Sequence, residues 1–485
     1  MKTKHIILTA AFCLFAVITA NAQFNETNNL FYHSFRTPQS NQLNPSFFPA
    51  NNTVYISLPA AGVHFGSPLA IKDVAHLDTN ETTGEVITAI DINSMLDALN
   101  ENNNFRMGTE INILGFGFKF KNMFFNFNSK MHNDINIGLP IGTINALRYG
   151  NVNSDGTPTS EVTLVNGDLL NFTNYLEFSL GGGYKFDNMP LTVGAHAKLL
   201  VGMANLQTDN TRAIVHTSDD FESLSVDLYY QVQSAAALAV DTNTNKTSFS
   251  LGNMGVAFDL GAHYEIGPVS ISASILDISP GIHWRKNVVN ITPEGGHTVI
   301  VYDGQDVSSV VSGGNMSIDS LASYYQTIVN GLAPMHDTNY TYWFGIPTKI
   351  NLGVNYSFAK FFRAGLLFHG QFDRGVFTKQ NFYYGVDLTD RIVNTFRYNT
   401  TLTLGVNLFN WVELLLGSSV VYDGQKMDFF NPGIGLVLTP GTVVQFHLMA
   451  DYVSSIRLVE SKAFNVRMGL SLLFGKGNKK SITQD

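Results

Sequence analysis

Asn112-Ile113-Leu114-Gly115-Phe116-Gly117-Phe118-Lys119-Phe120, then Lys121-Asn122, then Met123-Phe124-Phe125-Asn126-Phe127-Asn128 is the stretch whose reading decides the fold. From Leu114 the bulky residues fall on one parity and Gly, Gly and Lys on the other, which is the period of a strand with one apolar face. The pattern stops for two residues and resumes with Met123, Phe125 and Phe127 opposite Asn126, Asn128 and Lys130, so the two runs form a hairpin.

Working outward, the same device recurs. Runs 178–186 and 191–201 flank Asp187 to Pro190, runs 256–265 and 269–275 flank Gly267-Pro268, and runs 350–358 and 362–372 flank Ala359-Lys360. Two further pairs surround Phe409-Asn410 and Pro440-Gly441, a final run covers 464–474, and Thr53 to Phe65 supplies a first. About fourteen strands result, with short turns alternating strictly with long connections, the pattern of a closed transmembrane β-barrel. An even number returns both ends of the wall to the short-turn side. Short helices are expected in the connections at Val86 to Leu99 and Ile318 to Leu332.

Composition agrees. Charged residues make up 14% of the chain and aromatic residues 12%, whereas soluble domains carry roughly 25% charged residues. Nothing after Ala22 is apolar enough for a membrane-spanning helix. A charge-poor chain without such helices satisfies its backbone in lipid by closing a barrel. A soluble sandwich would dress its second face in charge; here that face is mostly Gly, Ser, Thr and Asn. The start, Met1-Lys2-Thr3-Lys4, then an apolar run from Ile6 to Ile18 and Ala20-Asn21-Ala22, reads as a secretory signal peptide cleaved before Gln23. The one cysteine, Cys13, lies inside it, so the mature chain has no thiol.

The expected organisation is a signal peptide over 1–22, a periplasmic lead-in or plug over 23–50, a barrel over 51–475 and a periplasmic tail over 476–485. The expected location is the outer membrane. Losing Lys2 and Lys4 from 29 basic residues leaves 27 against 38 acidic ones. That balance argues against a nucleic-acid partner, which needs a basic footprint.

The lead-in holds Leu43-Asn44-Pro45-Ser46-Phe47-Phe48-Pro49-Ala50. Its prolines fix φ and remove donors, so it cannot join a central strand. The expectation is a plug in the barrel mouth built on Asn44, Pro45, Phe47, Phe48 and Pro49. Together with the Ala22-Gln23 junction and the strand pattern, the motif resembles a family of Bacteroidota outer-membrane barrels catalogued as a domain of unknown function. It is broadly similar to FadL-like and PorV-like barrels. The resemblance implies either movement of hydrophobic molecules across the outer membrane, as in the FadL class, or a scaffold role in secretion, as in PorV-like proteins. No substrate-contacting motif carries over.

Chemistry-bearing residues fall on the inward parity: Lys198, Asp259, His263, Arg363, His369, Glu413, His447, Asp451 and Arg467, with His196 and Glu265. They are expected to form a lumenal polar network. The chain carries no phosphate loop, no His-Glu-x-x-His and no GxSxG elbow, and the histidines have no metal-ligand spacing. An enzyme, a cofactor and a metal site are therefore not expected. Phe116, Phe118, Phe178, Tyr184, Tyr264, Phe362 and Tyr452 are assigned to the lipid face. The leading expectation is a barrel that binds or passes a small hydrophobic molecule, with outer-membrane lipid around it. The alternative is a scaffold docking surface or secretion proteins through 279–346, whose Trp284, Tyr302, Tyr324, Tyr325, Tyr340, Tyr342 and Trp343 would anchor a partner.

Overall fold

A computed structural model describes residues 29–34, 37–47, 53–79, 86–90, 102–149, 159–218, 223–241, 246–293, 298–302, 334–359, 361–372, 396–408, 411–422, 427–452 and 462–475, with 95, 97–99 and 157. The signal peptide, the 476–485 tail, Phe48, Pro49 and the helix expected at 318–332 lie outside them.

Fourteen antiparallel strands close into a ring. The first seven are β1 (Val54–Ser57, continued by Ala60–Gly66), β2 (Asn102–Phe120), β3 (Met123–Pro140), β4 (Leu170–Lys185), β5 (Leu191–Thr217), β6 (Met254–Ile266) and β7 (Val269–Ile278). The others are β8 (Thr348–Ala359), β9 (Phe362–Phe372), β10 (Phe396–Leu408), β11 (Val412–Tyr422), β12 (Met427–Leu438), β13 (Val444–Asp451) and β14 (Ala463–Phe474). β1 closes the ring, pairing Val54 with Phe474 of β14 on one side and with Phe118 of β2 on the other. No backbone edge remains in the ring, which is how a sheet can stand in lipid.

The faces are inverted relative to a soluble protein. Leu180, Leu402, Leu260 and Phe258 are exposed on the outside, while Lys130, Glu177, His196, Lys198, Asp259, Glu413 and Arg467 are buried inside. Among the described residues no helix is long and apolar enough to cross a membrane.

Several expectations change here. β5 runs on to Thr217 and pairs with Leu224–Ala236, which in turn carries Val288–Pro293 and Thr298–Tyr302. The wall therefore continues into connections that looked merely polar, because Asn205 and Gln207 keep the alternation at low apolar contrast. Val86–Ile90 is a strand paired with Ala75–Thr79, not the start of a helix, in keeping with β-branched Val86, Ile87, Thr88 and Ile90. A helix forms instead at Ile141–Tyr149.

Tyr452 does not face lipid. Its φ of 60° turns the side chain inward, where it is buried and its hydroxyl accepts from Asn29 and Asn399 at 3.2 Å each. The aromatic connection 279–346 is also partly internal. Trp284 and Tyr342 are buried against inward-facing Tyr175, Leu200 and Ala257, which removes two of the anchors expected for a docking surface.

Candidate functional site

The site lies inside the ring, where the N-terminal segment meets the inner wall. Asn29–Tyr32 forms one helical turn and Pro38–Gln42 a 3-10 turn, and their residues are all buried. The segment touches inward side chains around most of the circumference. Tyr32 donates its hydroxyl to Ser272 of β7 at 2.9 Å, and Asn41 donates to Tyr55 of β1 at 3.3 Å. Gln42 donates to Asn128 of β3 at 3.2 Å and accepts from Arg467 of β14 at 3.0 Å.

The Leu43 carbonyl accepts from Ser274 at 2.7 Å and Asn351 at 3.1 Å, and Asn44 donates to the Ala273 carbonyl at 3.2 Å. Asn44 also orders its own turn, accepting from the Ser46 backbone at 3.0 Å. Phe47 stands edge-on to Tyr32 and to His263, with ring centroids 5.0 and 5.6 Å away. Pro45 runs so close to the wall that Cβ atoms at Gly194 or Gly261 would overlap the segment.

The helical turn is held at both ends by wall charges. Asp451 accepts from the Leu30 amide at 3.3 Å, and Arg363 donates to the His33 carbonyl at 2.6 Å. A carboxylate at the amino end and a guanidinium at the carboxyl end match the polarity of the turn. Between them, Leu30 and Phe31 pack on Leu415, Val437 and Met449. His33 donates from Nδ1 to Asn355 at 2.7 Å. Burial lowers its pKa to about 4; the bond to Asn355 opposes the shift, and the Arg363 cation adds to it.

Beside the segment runs a band of ion pairs. Lys198 is its centre, 2.6 Å from Asp277, 2.9 Å from Asp259 and 3.6 Å from Glu177. His196 lies 3.1 Å from Asp259, His132 lies 3.1 Å from Glu177, and Lys349 lies 3.7 Å from Asp277. Glu110 joins Lys130 at 3.4 Å to Arg467 at 3.1 Å. Four carboxylates thus face four permanent cations. A cavity of about 30 Å³, room for a water molecule, separates Asn29, Tyr32, Gln42 and Leu43 from this band.

The nine residues expected to form one network occupy separate places. Lys198 and Asp259 are in direct contact, Arg363 pairs with Glu413, and Arg467 pairs with Glu110. His369 bonds Asn351 at 2.6 Å, while His263, His447 and Asp451 face the N-terminal segment. Lys130 and Glu177 fall on the polar parity of their runs but, like Glu110 and Asp277, were not among the nine. A register shift between Asn112 and Leu114 inverts the parity so that Glu110 points inward. Asp277, at φ 59°, sits in a bulge opposite the Phe258/Leu260 shift, which swings its carboxylate to Lys198.

A family model described as "Family of unknown function (DUF5723)" matches residues 45–451. Among curated proteins, none matches the chain. The chain is similar to several solved structures. For the Pseudomonas putida toluene transporter TodX the identity is 10% and the TM-score 0.40, covering 94% of this chain and 96% of that one. For a TodX deltaS2S3 mutant monoaromatic hydrocarbon channel the identity is 10% and the TM-score 0.43, with 91% and 94% covered. A Pseudomonas aeruginosa FadL homologue gives 9% identity and a TM-score of 0.39, covering 90% of this chain and 94% of that one.

Proposed function

The chain belongs to that family, and we propose that it is an outer-membrane barrel that binds or passes a small hydrophobic molecule, with the segment 29–47 as its plug. The observation that carries this reading is the position of the segment, buried within the ring and hydrogen-bonded to strands on opposite sides of it. An open porin has no use for such a stopper. The inverted faces support a lipid surrounding, and the leader Met1 to Ala22 supports export.

Two features favour an apolar passenger. The surface that Leu30, Phe31 and Leu43 now cover on the wall is Leu415, Val437 and Met449, an apolar strip uncovered when the segment moves. The charges of the wall, moreover, are spent on one another, so an ion meets no unbalanced ring of one sign.

Cross-linking tests the plug. The chain's single cysteine, Cys13, lies in the expected leader, and a Cβ at Gly417 falls 2.7 Å from a terminal carbon of Leu30, so cysteines at the two positions would face each other across the contact between segment and wall. Leu30→Cys/Gly417→Cys, oxidised, is expected to block uptake of a labelled apolar solute into proteoliposomes, and reduction to restore it. Equal uptake in both states would reject a moving plug. Deletion of 29–47 is expected to open the barrel permanently.

A further inference from the structure

The imidazoles facing the interior divide into two chemical classes. His132 and His196 each touch a carboxylate, Glu177 and Asp259, at 3.1 Å, so a proton taken up there meets a negative charge already in place. Among the described residues, His33 and His447 have no such partner. His33 is fully buried, and its Nε2 has no hydrogen-bond partner among the described residues. Its charged neighbour is Arg363, which bonds the His33 carbonyl and is itself paired with Glu413; Asn355 and the Tyr32 ring complete its surroundings.

His447 is also fully buried, and neither ring nitrogen has a hydrogen-bond partner among the described residues. Its ring centroid lies 5.1 Å from that of Phe31, and Arg467 sits over the other part of the same contact, 4.7 Å from the Phe31 centroid. Val437 and Gly469 stand opposite His447 on the flanking strands, and Glu110 is already bound to Arg467. Asp451 is the third titratable group on the helical turn, accepting from the Leu30 amide.

We propose that the segment 29–47 is released by acid, with His33 and His447 as the proton-accepting groups that unlatch it. The inference rests on the reading of that segment as a plug. A proton on either imidazole places a second positive charge beside an arginine in a site closed to water, with no carboxylate of its own. Asp451 acts the other way: its carboxyl is buried beneath the segment and regains water on release, so a proton there favours the docked state. The opening expected in acid is the combined effect of the two imidazoles less that of Asp451.

The sign follows from linkage. His33 has an ordinary value of 6.5 when undocked and about 4 when docked, so the docked state binds fewer protons through that interval. Docking is at full strength above 6.5 and weakens as the pH falls toward 4. From His33 alone, the docked-to-released ratio is expected to drop by roughly 60-fold between about pH 7 and about pH 4.5.

Planar-bilayer conductance and hydrogen exchange on the purified full-length protein test this. Wild type is expected to be closed at neutral pH and to open reversibly in acid. The peptide covering 29–47 should lose protection in step, relative to wall peptides of the same sample and after correction for intrinsic exchange. The variant His33→Gln/His447→Gln is expected to keep the segment protected to lower pH. Acid insensitivity of wild type in both measurements, or an unchanged midpoint in the double variant, would overturn the proposal. The deletion of 29–47 separates the two readings: a deletion that stays closed and impermeable rejects the plug itself, whereas an open deletion beside an acid-insensitive wild type rejects only acid release. Heat-modifiable migration on gels confirms that each variant retains a folded barrel.

Discussion

Gly194→Ala is expected to expel the N-terminal segment while leaving the barrel intact. Gly194 lies on the inward parity of β5, facing the Pro45-Ser46 backbone. An added Cβ would stand 2.7 Å from the Ser46 nitrogen and closer still to the Pro45 carbonyl. Carbon contacts settle near 3.5 Å, so the segment would have to retreat by roughly 1 Å along a backbone already fixed by proline. Overpacking of that kind typically costs about 1–3 kcal/mol, a shift of roughly five- to 150-fold in the docking equilibrium. The wall has little to lose, because Gly194 has no positive φ and alanine suits a strand better than glycine. Gly62→Ala is the matched control: it is also inward-facing, but its nearest neighbours would be 3.8–3.9 Å away. Hydrogen exchange of the 29–47 peptide reads the difference, with five-fold or greater acceleration expected for Gly194→Ala and none for Gly62→Ala. Equal exchange in the two variants would refute the claim that the segment docks against this glycine.

Two substitutions in the wall follow from its charge and its sidedness. Lys198→Met strands Asp259, Asp277 and Glu177 around a missing cation; removing one member of a buried pair costs about 3–5 kcal/mol, so the gel-shift unfolding temperature in detergent should fall markedly. A variant that unfolds with wild type would show that the three carboxylates do not depend on Lys198. Leu402→Arg, at the centre of an outward face and 63% exposed, should cost about 2–4 kcal/mol for folding into lipid vesicles, as charge does at a bilayer midplane. Unimpaired folding into vesicles would argue that this face does not meet hydrocarbon.

Much of the architecture was legible because hairpins announce themselves locally. Lys121-Asn122 between two aromatic-alternating runs needs no long-range information, and the strand count follows from repeating that reading. Parity also sent Lys198, Asp259, Arg363, Glu413 and Arg467 inward without any structure. What parity cannot see is a bulge. One extra residue near Ile113 turns Glu110 to the interior, and left-handed backbone at Asp277 and Tyr452 does the same for a carboxylate and a phenol. Pairing was equally hidden, since whether Lys198 meets Asp277 depends on strand stagger around the ring. The helix expected from Val86 gives way to a strand because β-branched Val86, Ile87, Thr88 and Ile90 pair with Ala75–Thr79 close by in the chain.

The charge pattern bears on how the segment 29–47 is held inside the ring. Among its described residues, the segment 29–47 carries no acid, lysine or arginine; Arg36 lies outside them. It docks through amides, hydroxyls and rings, with backbone groups offered to Arg363 and Asp451. The band around Lys198 and the Arg467–Glu110–Lys130 group, by contrast, close their charges within the wall. Withdrawing the segment therefore leaves Arg363 with Glu413 and Arg467 with Glu110. Among these groups Asp451 loses the contact it makes to the segment, and it regains water when the segment leaves. A segment whose described residues carry no acid, lysine or arginine, seated against wall charges that pair with one another, is able to move without breaking those pairs, so its release is separable from unfolding. On the acid-release proposal the two histidines make that separation conditional: protonated, they add charge beside Arg363 and Arg467, whose carboxylates Glu413 and Glu110 are already paired.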